Sequence, residues 1–535
     1  MGRRKRDDSF DELQRRKKYK LQDREERMQE LNNPAKASYE KKKGRRKKRR
    51  REYQGARRLG RFLVLLQGLL SLLFLALITS LDMLPIKYIA VLVAVLLVLW
   101  LIVKRTQRRA KKRGIFGKVI SIILILILGV GSYYIGVING AFDRLIGGNQ
   151  KIDTMVVAVL ADDAAETITD AKDYTFGLQH KLGAEDVDAA VSEINKELGQ
   201  EIITSEFDDV QAQAEALFNK EVGAIIYNEG YTEMLEDEID DYKKDIKIIY
   251  SYDIKKELES HELVDVDVTN STFSVYLSGV DVYGEISKTS RSDVNIIATV
   301  NPDTHQILLT TTPRDMYMIF PGVSDGQRDK LTHAGIYGVD ASIAALENFY
   351  GIEIPFYARV NFTSVIEIVD RLGGIDVYSE YSFKTKDGYY VEEGMNHFNG
   401  EEALSFSRER KNVPGGDNQR GKNQQAVIIA MIKKMISPQM LISATGIINS
   451  MSNNVETNMS QDQMQDLIKS QLKEGGSWNI YSVAAEGTNA SNYTYSMPNR
   501  KTYVMEPNEE SIQEIMSLMD RVENGEKLEG SEVAE

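Results

Sequence analysis

Arginines and carboxylates recur near expected strand and helix ends in the second half of this chain, where distant side chains can converge. Arg291 and Asp293 stand in RSD, Arg314 in TTPRD, Arg408 and Arg410 in SFSRER, and Asp417, Arg420 and Gln424 in GGDNQRGKNQQ. Asp281 lies in SGVDVYG. A guanidinium presents a planar fork of donors matched to phosphate oxygens. Two carboxylates beside phosphate oxygens suit Mg²⁺, which keeps part of its water shell and takes few protein ligands. Brought together, these residues would clamp a metal-bridged pyrophosphate. Left apart, they would make ordinary surface ion pairs, and the residue types alone fit both arrangements.

Other chemistries are poorly supplied. Cysteine is absent and there are five histidines with no spaced pair. Disulfides and thiolate chemistry are therefore excluded and a zinc site is disfavoured. No GxSxG elbow and no glycine-rich phosphate loop follows a strand. His333 in KLTHAGIYG and His397 in GMNHFNG read as structural.

The elements that would position the arginines read as α/β. Within 270–525, FSVYLSG is a strand ending in a glycine turn, and VNIIATVNPDTHQILLTTTPRD is two strands joined at Asn301–His305. DASIAALENFYG is a helix closed by Gly351, IPFYARV a strand, FTSVIEIVDRLGG a helix and IDVY a strand. SFSRER is expected to follow a short apolar strand, and 418–436 a long helix whose amino terminus favours an anion. Upstream, 152–262 alternates strand-like runs such as TMVVAVL and GAIIYN with helical periods. That alternation predicts a parallel sheet covered by helices, an accessory domain without chemistry of its own. Residues 526–535 are expected to form a disordered tail.

The chain has 535 residues, 42% hydrophobic and 27% charged, so it is not disordered as a whole. Residues 1–118 carry 34 Lys and Arg against 11 Asp and Glu, whereas the whole chain has a net charge of -12. Three apolar runs separate the two regimes: Phe62–Ser80, Met83–Val103 and Val119–Phe142. About 20 residues span a bilayer core, so each run predicts a membrane helix. The tail 1–59 contains KKKGRRKKRRR, and 104–118 holds eight basic residues and no acidic one. Positive segments stay in the cytoplasm. The expected layout is thus a basic cytoplasmic tail, three helices within 60–142, and everything after about residue 143 outside the cell. The tail lacks interleaved aromatics, so anionic lipid is a better partner for it than nucleic acid.

SGVDVYG, RSDVNIIATVNPDTHQILLTTTPRD, VNFTSVIEIVDRLGGIDVY and the SRER…GGDNQRGKNQQ block resemble, in that order, the LytR-CpsA-Psr family. The likeness covers roughly 270–436, with a looser tail to about 520. Three membrane helices and an intervening α/β domain are similar to its capsular-polysaccharide branch (CpsA, also Wzg). The resemblance implies an α/β catalytic domain with a mixed central sheet flanked by helices. It implies a phosphotransferase that moves a glycopolymer from polyprenyl pyrophosphate to peptidoglycan, with membrane lipid and capsule assembly proteins as further partners. Asp281 and Asp293 would hold Mg²⁺ (or Mn²⁺). Arg291, Arg314, Arg408, Arg410 and Arg420 would contact the pyrophosphate with Gln424 beside them, and Asp417 would orient Arg420. The general base would be Asp281, Asp293 or a metal-bound water. An apolar tunnel for the lipid would draw on Val365, Ile366, Ile368, Val369, Val427, Ile428, Ile429 and Met431, residues that equally suit a plain core. HAGIYG departs from the family's usual HAYxxGG, which bears on pocket shape. Two other readings of the same clamp are a polyprenyl-pyrophosphate phosphatase and a non-catalytic scaffold or regulator of capsule assembly.

Overall fold

A backbone in lipid must satisfy its own hydrogen bonds, and the apolar runs are helical throughout. The computed structural model describes residues 4–31, 34–107, 112–146, 150–257, 265–280, 286, 288–437 and 455–529. Helices Arg4–Leu31, Pro34–Ser80, Ile86–Gln107 and Lys112–Ile146 come first. Within them Gln54–Ser80, Ile86–Gln107 and Ile115–Val137 are long and apolar enough to cross a membrane. The second starts three residues later than its apolar run. Pro85 disfavours helical geometry at the residue before it, so the helix begins after the proline. Trp100 Nε1 donates to the Val64 carbonyl and Ser121 Oγ to Gln67 Oε1, both at 3.1 Å, which ties the helices together through polar groups. Leu72 and Val91, among others, stay exposed, as lipid-facing residues would.

These helices form one compact unit, and Thr79–Pro85 with Tyr134–Glu535 forms a second. In the second, the accessory sheet comprises Gln150–Leu160 (β1), Thr175–Leu178 (β2), Ile203–Glu206 (β3), Ala224–Asn228 (β4) and Ile246–Glu257 (β5). The strand order is β3-β2-β4-β1-β5. Strand β2 runs parallel to β3 and β4, but β1 is antiparallel to both of its neighbours. The expected parallel sheet is thus corrected to a mixed one. Residues 161–174 form turns and supply no crossover helix of the kind that parallel neighbours require. Both faces are covered: Met155, Val157 and Val159 enter one core and Val156 and Ala158 the other. The second of these cores also takes in Ile336 and Met497 from the downstream region, so the accessory sheet is built into its neighbour.

The central sheet downstream comprises Phe273–Val280 (β6), Ser292–Asn301 (β7), Gln306–Thr311 (β8), Phe356–Asn361 (β9), Val455–Thr457 (β10) and Asn479–Ala484 (β11). Its order is β10-β9-β6-β7-β8-β11. Strands β9 and β6 are parallel, as are β8 and β11, while β7 is antiparallel to β6 and β8. Alternation along β7 sends Ile297 into one core with Tyr276, Leu308 and Tyr350, and Ile296 and Ala298 into the other with Phe273 and Phe356. Helices Val339–Tyr350 and Glu509–Glu523 cover the first face. Gly416–Met435 and Gln461–Glu474 cover the second.

Two local expectations are corrected. The residues before Arg408 form a helix, Gly400–Arg408, and not a strand. Asn399 and Glu402 make a reciprocal capping box there, and Ala403 and Phe406 bury one helical stripe. The expected disordered tail begins too early. Leu528 is buried, its amide donates to Gln306 Oε1 and its carbonyl accepts from Tyr481 Oη. Residues 530–535 lie outside the described residues.

Candidate functional site

The topology delivers the sequence motifs to one edge of the central sheet. β6, β8 and β9 end there and β7 begins there, because β7 alone among these four runs the opposite way. Ligands in α/β folds favour the carboxyl ends of strands. Arg291 precedes β7, Asp293 opens it, and Arg314 follows β8. Arg408 and Arg410 follow the capped helix, and Arg420 and Gln424 lie one turn apart near the start of Gly416–Met435. All five arginines, Asp293 and Gln424 line one cavity of about 560 Å³. The sequence-based set therefore converges, with two exceptions: Asp281 and the side chain of Asp417 lie outside the described residues.

The charges in the cavity are tightly coupled. Arg314 Nη1 donates to Asp293 Oδ1 at 2.8 Å, and Thr332 Oγ1 donates to the same oxygen at 3.0 Å. Burial alone would raise the Asp293 pKa. The charges of Arg314, Arg291 and Arg420 and the Thr332 hydrogen bond outweigh it and hold the carboxyl at about 2. Asp293 is therefore ionised at any physiological pH. Arg291 is 3% exposed and lines the cavity, and its Nε has no hydrogen-bond partner among the described residues.

Several supporting residues were not singled out from the sequence. Thr332 lies on the short helix Leu331–Tyr337, which packs directly on the strand carrying Arg291. A Cβ on Gly335 would come within 2.6 Å of the Ser292 amide nitrogen and 2.8 Å of the Ser290 carbonyl, so only glycine permits that approach. His333 fixes the same helix. Its Nδ1 lies 2.7 Å from Asp329 Oδ1 and 3.0 Å from Ser496 Oγ. By type this is a serine–histidine–aspartate set, but both partners use one ring nitrogen and all three residues are almost fully buried. It is a structural brace, as expected for His333. His397 is likewise structural, exposed and 2.7 Å from Asp376. Glu409 is buried between the exposed Arg408 and Arg410. Its carboxylate accepts the amides of Lys386, Lys411 and Asn412 and so shapes the loop that presents both arginines. The alternation in SRER is the one sequence signal that pointed to it.

The cavity changes character along its length. Val365, Val427 and Ile428 line it, as does Leu404. Ile368, Val369 and Met431, also expected in a tunnel, are buried core. Ile429 packs on the core against the central sheet, and Ile366 backs Gly400 through its main chain. Three of the eight expected tunnel residues thus reach the cavity. Along Gly416–Met435 the polar Arg420 and Gln424 come first and Val427 and Ile428 follow, a polar-to-apolar gradient over roughly 12 Å at about 1.5 Å per residue. The accessory domain contributes a further wall, Glu233, Glu236 and Asp237.

Comparison with known proteins agrees with this geometry. The LytR_cpsA_psr family model matches residues 241–517, more than half of the chain. A Bacillus anthracis protein named polyisoprenyl-teichoic acid–peptidoglycan teichoic acid transferase TagU is 35% identical over 237 residues, covering 41% of this chain and 77% of that protein. A protein of the same name from Bacillus cereus is 37% identical over 218 residues, covering 40% and 70%. The crystal structure of Bacillus subtilis TagV is similar at 27% identity and a TM-score of 0.41, covering 48% of this chain and 99% of that one. With its ordered arginine motifs gathered at one sheet edge and that match across them, this chain belongs to the LytR_cpsA_psr family.

Proposed function

We propose that the chain is a membrane-anchored phosphotransferase that moves a glycopolymer, capsular or teichoic-acid-like, from a polyprenyl-pyrophosphate carrier to peptidoglycan. One observation carries the reading: five arginines and an ionised Asp293 face a cavity that is also lined by apolar side chains. A lipid diphosphate has the same two halves. The names of the two Bacillus relatives describe the same class of transfer.

In this reading Val365, Val427 and Ile428 hold the first isoprenoid units and exclude water from them. Arg291, Arg314 and Arg420 grip the diphosphate, with Arg408 and Arg410 on the adjoining loop and Gln424 as a neutral donor. A sugar hydroxyl of peptidoglycan attacks the sugar-proximal phosphorus. The new oxygen–phosphorus bond forms as the bond to the bridging oxygen breaks, and polyprenyl phosphate leaves. The departing oxygens gain negative charge, and fixed guanidinium donors stabilise that charge more than the ground state. Mg²⁺ (or Mn²⁺) fits the donor set. Asp293 is held ionised, as a metal ligand must be, with Asp281 as the second carboxylate. No group of three acidic or histidine side chains forms a ready-made cage among the described residues. Mg²⁺ needs none where substrate phosphates complete its shell. When bound, the ion would neutralise charge on the diphosphate oxygens.

The three membrane helices would keep this site beside the lipid carrier and raise its effective concentration. The basic segment 104–118 supports an orientation with the tail in the cytoplasm, near anionic lipid and any capsule assembly proteins, and the catalytic unit outside. The test incubates the full-length chain in detergent with a lipid-linked glycan, Mg²⁺ and peptidoglycan fragments. Covalent attachment of glycan to peptidoglycan is the expected product. Release of free glycan phosphate without attachment would make the chain a phosphatase, and no turnover at all would leave a scaffold.

A further inference from the structure

The accessory domain reaches into the arginine cluster with one side chain. Helix Thr232–Glu238 carries Glu233, Glu236 and Asp237 at the cavity wall. The first two have partners in their own domain. Lys243 Nζ donates to Glu233, and the Lys243 amide donates to Glu236 Oε2 at 2.7 Å. Asp237 differs. A single oxygen, Oδ2, accepts from Arg291 Nη1 at 2.5 Å and from Arg314 Nη2 at 3.1 Å. One carboxylate oxygen held between two guanidinium groups has the geometry of a phosphoryl oxygen in an arginine clamp. Helix and clamp are braced together, because Glu238 accepts from Thr502 and lies 3.9 Å from Lys330 Nζ. The Asp237 side chain itself remains 33% exposed, so it leaves the clamp without unfolding anything.

We infer that Asp237 is an internal competitor for the diphosphate seat, an autoinhibitory contact by which the accessory domain holds the arginine clamp shut until a lipid-linked donor displaces it. This rests on the arginines being the diphosphate clamp, as proposed above. The donors on Arg291 and Arg314 that face Asp237 serve one anion at a time, and a diphosphate beside the carboxylate would meet like charge. Displacement returns Asp237 to water, where its charge is solvated. The accessory domain then has a function without any chemistry of its own: whatever shifts its helix changes donor affinity.

The contact is tested on the full-length chain in detergent, with geranylgeranyl pyrophosphate and inorganic pyrophosphate as probes and titration calorimetry as readout. Asp237→Asn keeps size and hydrogen bonding but removes the charge. It is expected to bind both probes on the order of tenfold more tightly, the factor for relieving a competitor that occupies the seat about nine-tenths of the time. Its thermal midpoint without ligand should fall, because an ion pair is lost. Opposite signs for affinity and stability are the signature of competition, whereas a residue that only positions the arginines would lower both. Asp237→Ala repeats the measurement without the amide. Unchanged or weaker binding in both variants, with Arg291→Ala still abolishing binding, overturns the competition and leaves the transferase site standing. Undiminished binding in Arg291→Ala overturns the clamp, and the competition falls with it.

Discussion

Arg314 has more to lose than any other side chain in the cavity. Its two Nη groups bond Asp293 at 2.8 Å and Asp237 at 3.1 Å, and only 14% of the side chain is exposed. Arg314→Lys keeps the charge but replaces a rigid fork by a single mobile ammonium. Loss of one charge-assisted hydrogen bond is worth about 1.5–3 kcal/mol. At about 1.4 kcal/mol per tenfold in rate, transfer by the lysine variant should slow by about 10- to 100-fold. Arg314→Ala also removes the charge, and losing one donor to a developing oxyanion typically slows a reaction by about 10²–10³. The assay is glycan transfer by the full-length chain in detergent, with rates normalised to the folded fraction from circular dichroism. Donor concentration is varied so that kcat and KM separate. A role in the transition state lowers kcat in both variants, whereas a role in donor binding alone raises KM. Wild-type kcat in Arg314→Ala, or no difference between alanine and lysine, would remove Arg314 from the chemistry.

Gly335→Ala places a methyl group against the backbone of Ser290 and Ser292, so helix or strand must move. A misplacement of about 1 Å at a reacting centre is enough for roughly a 100-fold loss, and the expected result is lost transfer with a lowered thermal midpoint. Asp153 is buried where the accessory sheet meets the catalytic region, bonded to Asn228 and Thr289 and paired with Lys151 and Lys256. Burial would raise its pKa, but the lysines and Thr289 hold it below the ordinary carboxylate range. Its contribution is then complete above about pH 4 and fades as the pH falls through the lowered folded value. Asp153→Asn should lose about 3 kcal/mol at neutral pH, as broken buried pairs do. Its melting curve should be less sensitive to acid than wild type, and equal acid sensitivity would refute the coupling. Because the chain has no cysteine, single-cysteine variants report topology directly. A membrane-impermeant maleimide should label Ser491→Cys but not Lys43→Cys in intact cells, and the reverse pattern would invert the orientation.

How much of this was legible in the sequence depended on how far each signal reaches along the chain. The membrane helices were plain because 20 apolar residues leave little alternative, and only Pro85 moved a boundary. Strands β6 to β9 were plain because each is a short apolar run bounded by turns. The arginines were visible as residues, yet their convergence was not, since it requires β7 to run against β6 and β8 so that RSD and TTPRD meet. SFSRER misled because its apolar residues fit a strand as well as a helix. The capping pair Asn399 and Glu402, two turns upstream, was the deciding signal. Thr332 and Gly335 carry no periodic signal at all, and their importance comes from one helix lying on one strand.

Asp237 marks the limit of sequence reading and also explains why the accessory domain matters. It is one of several acidic residues in EMLEDEIDD, indistinguishable by composition from a solvated helix face. Its neighbours Glu233 and Glu236 find Lys243 within the same domain, as such residues usually do. Asp237 alone spends its hydrogen bonds on Arg291 and Arg314, which lie more than fifty positions downstream. A carboxylate whose bonds go to a neighbouring domain's anion clamp, and not to its own lysines, contributes little to folding its own domain. Its placement makes sense where two states of the clamp are wanted, one closed by protein and one by lipid diphosphate. The affinity of the site for its donor is then set jointly by the arginines and by a helix that touches no substrate.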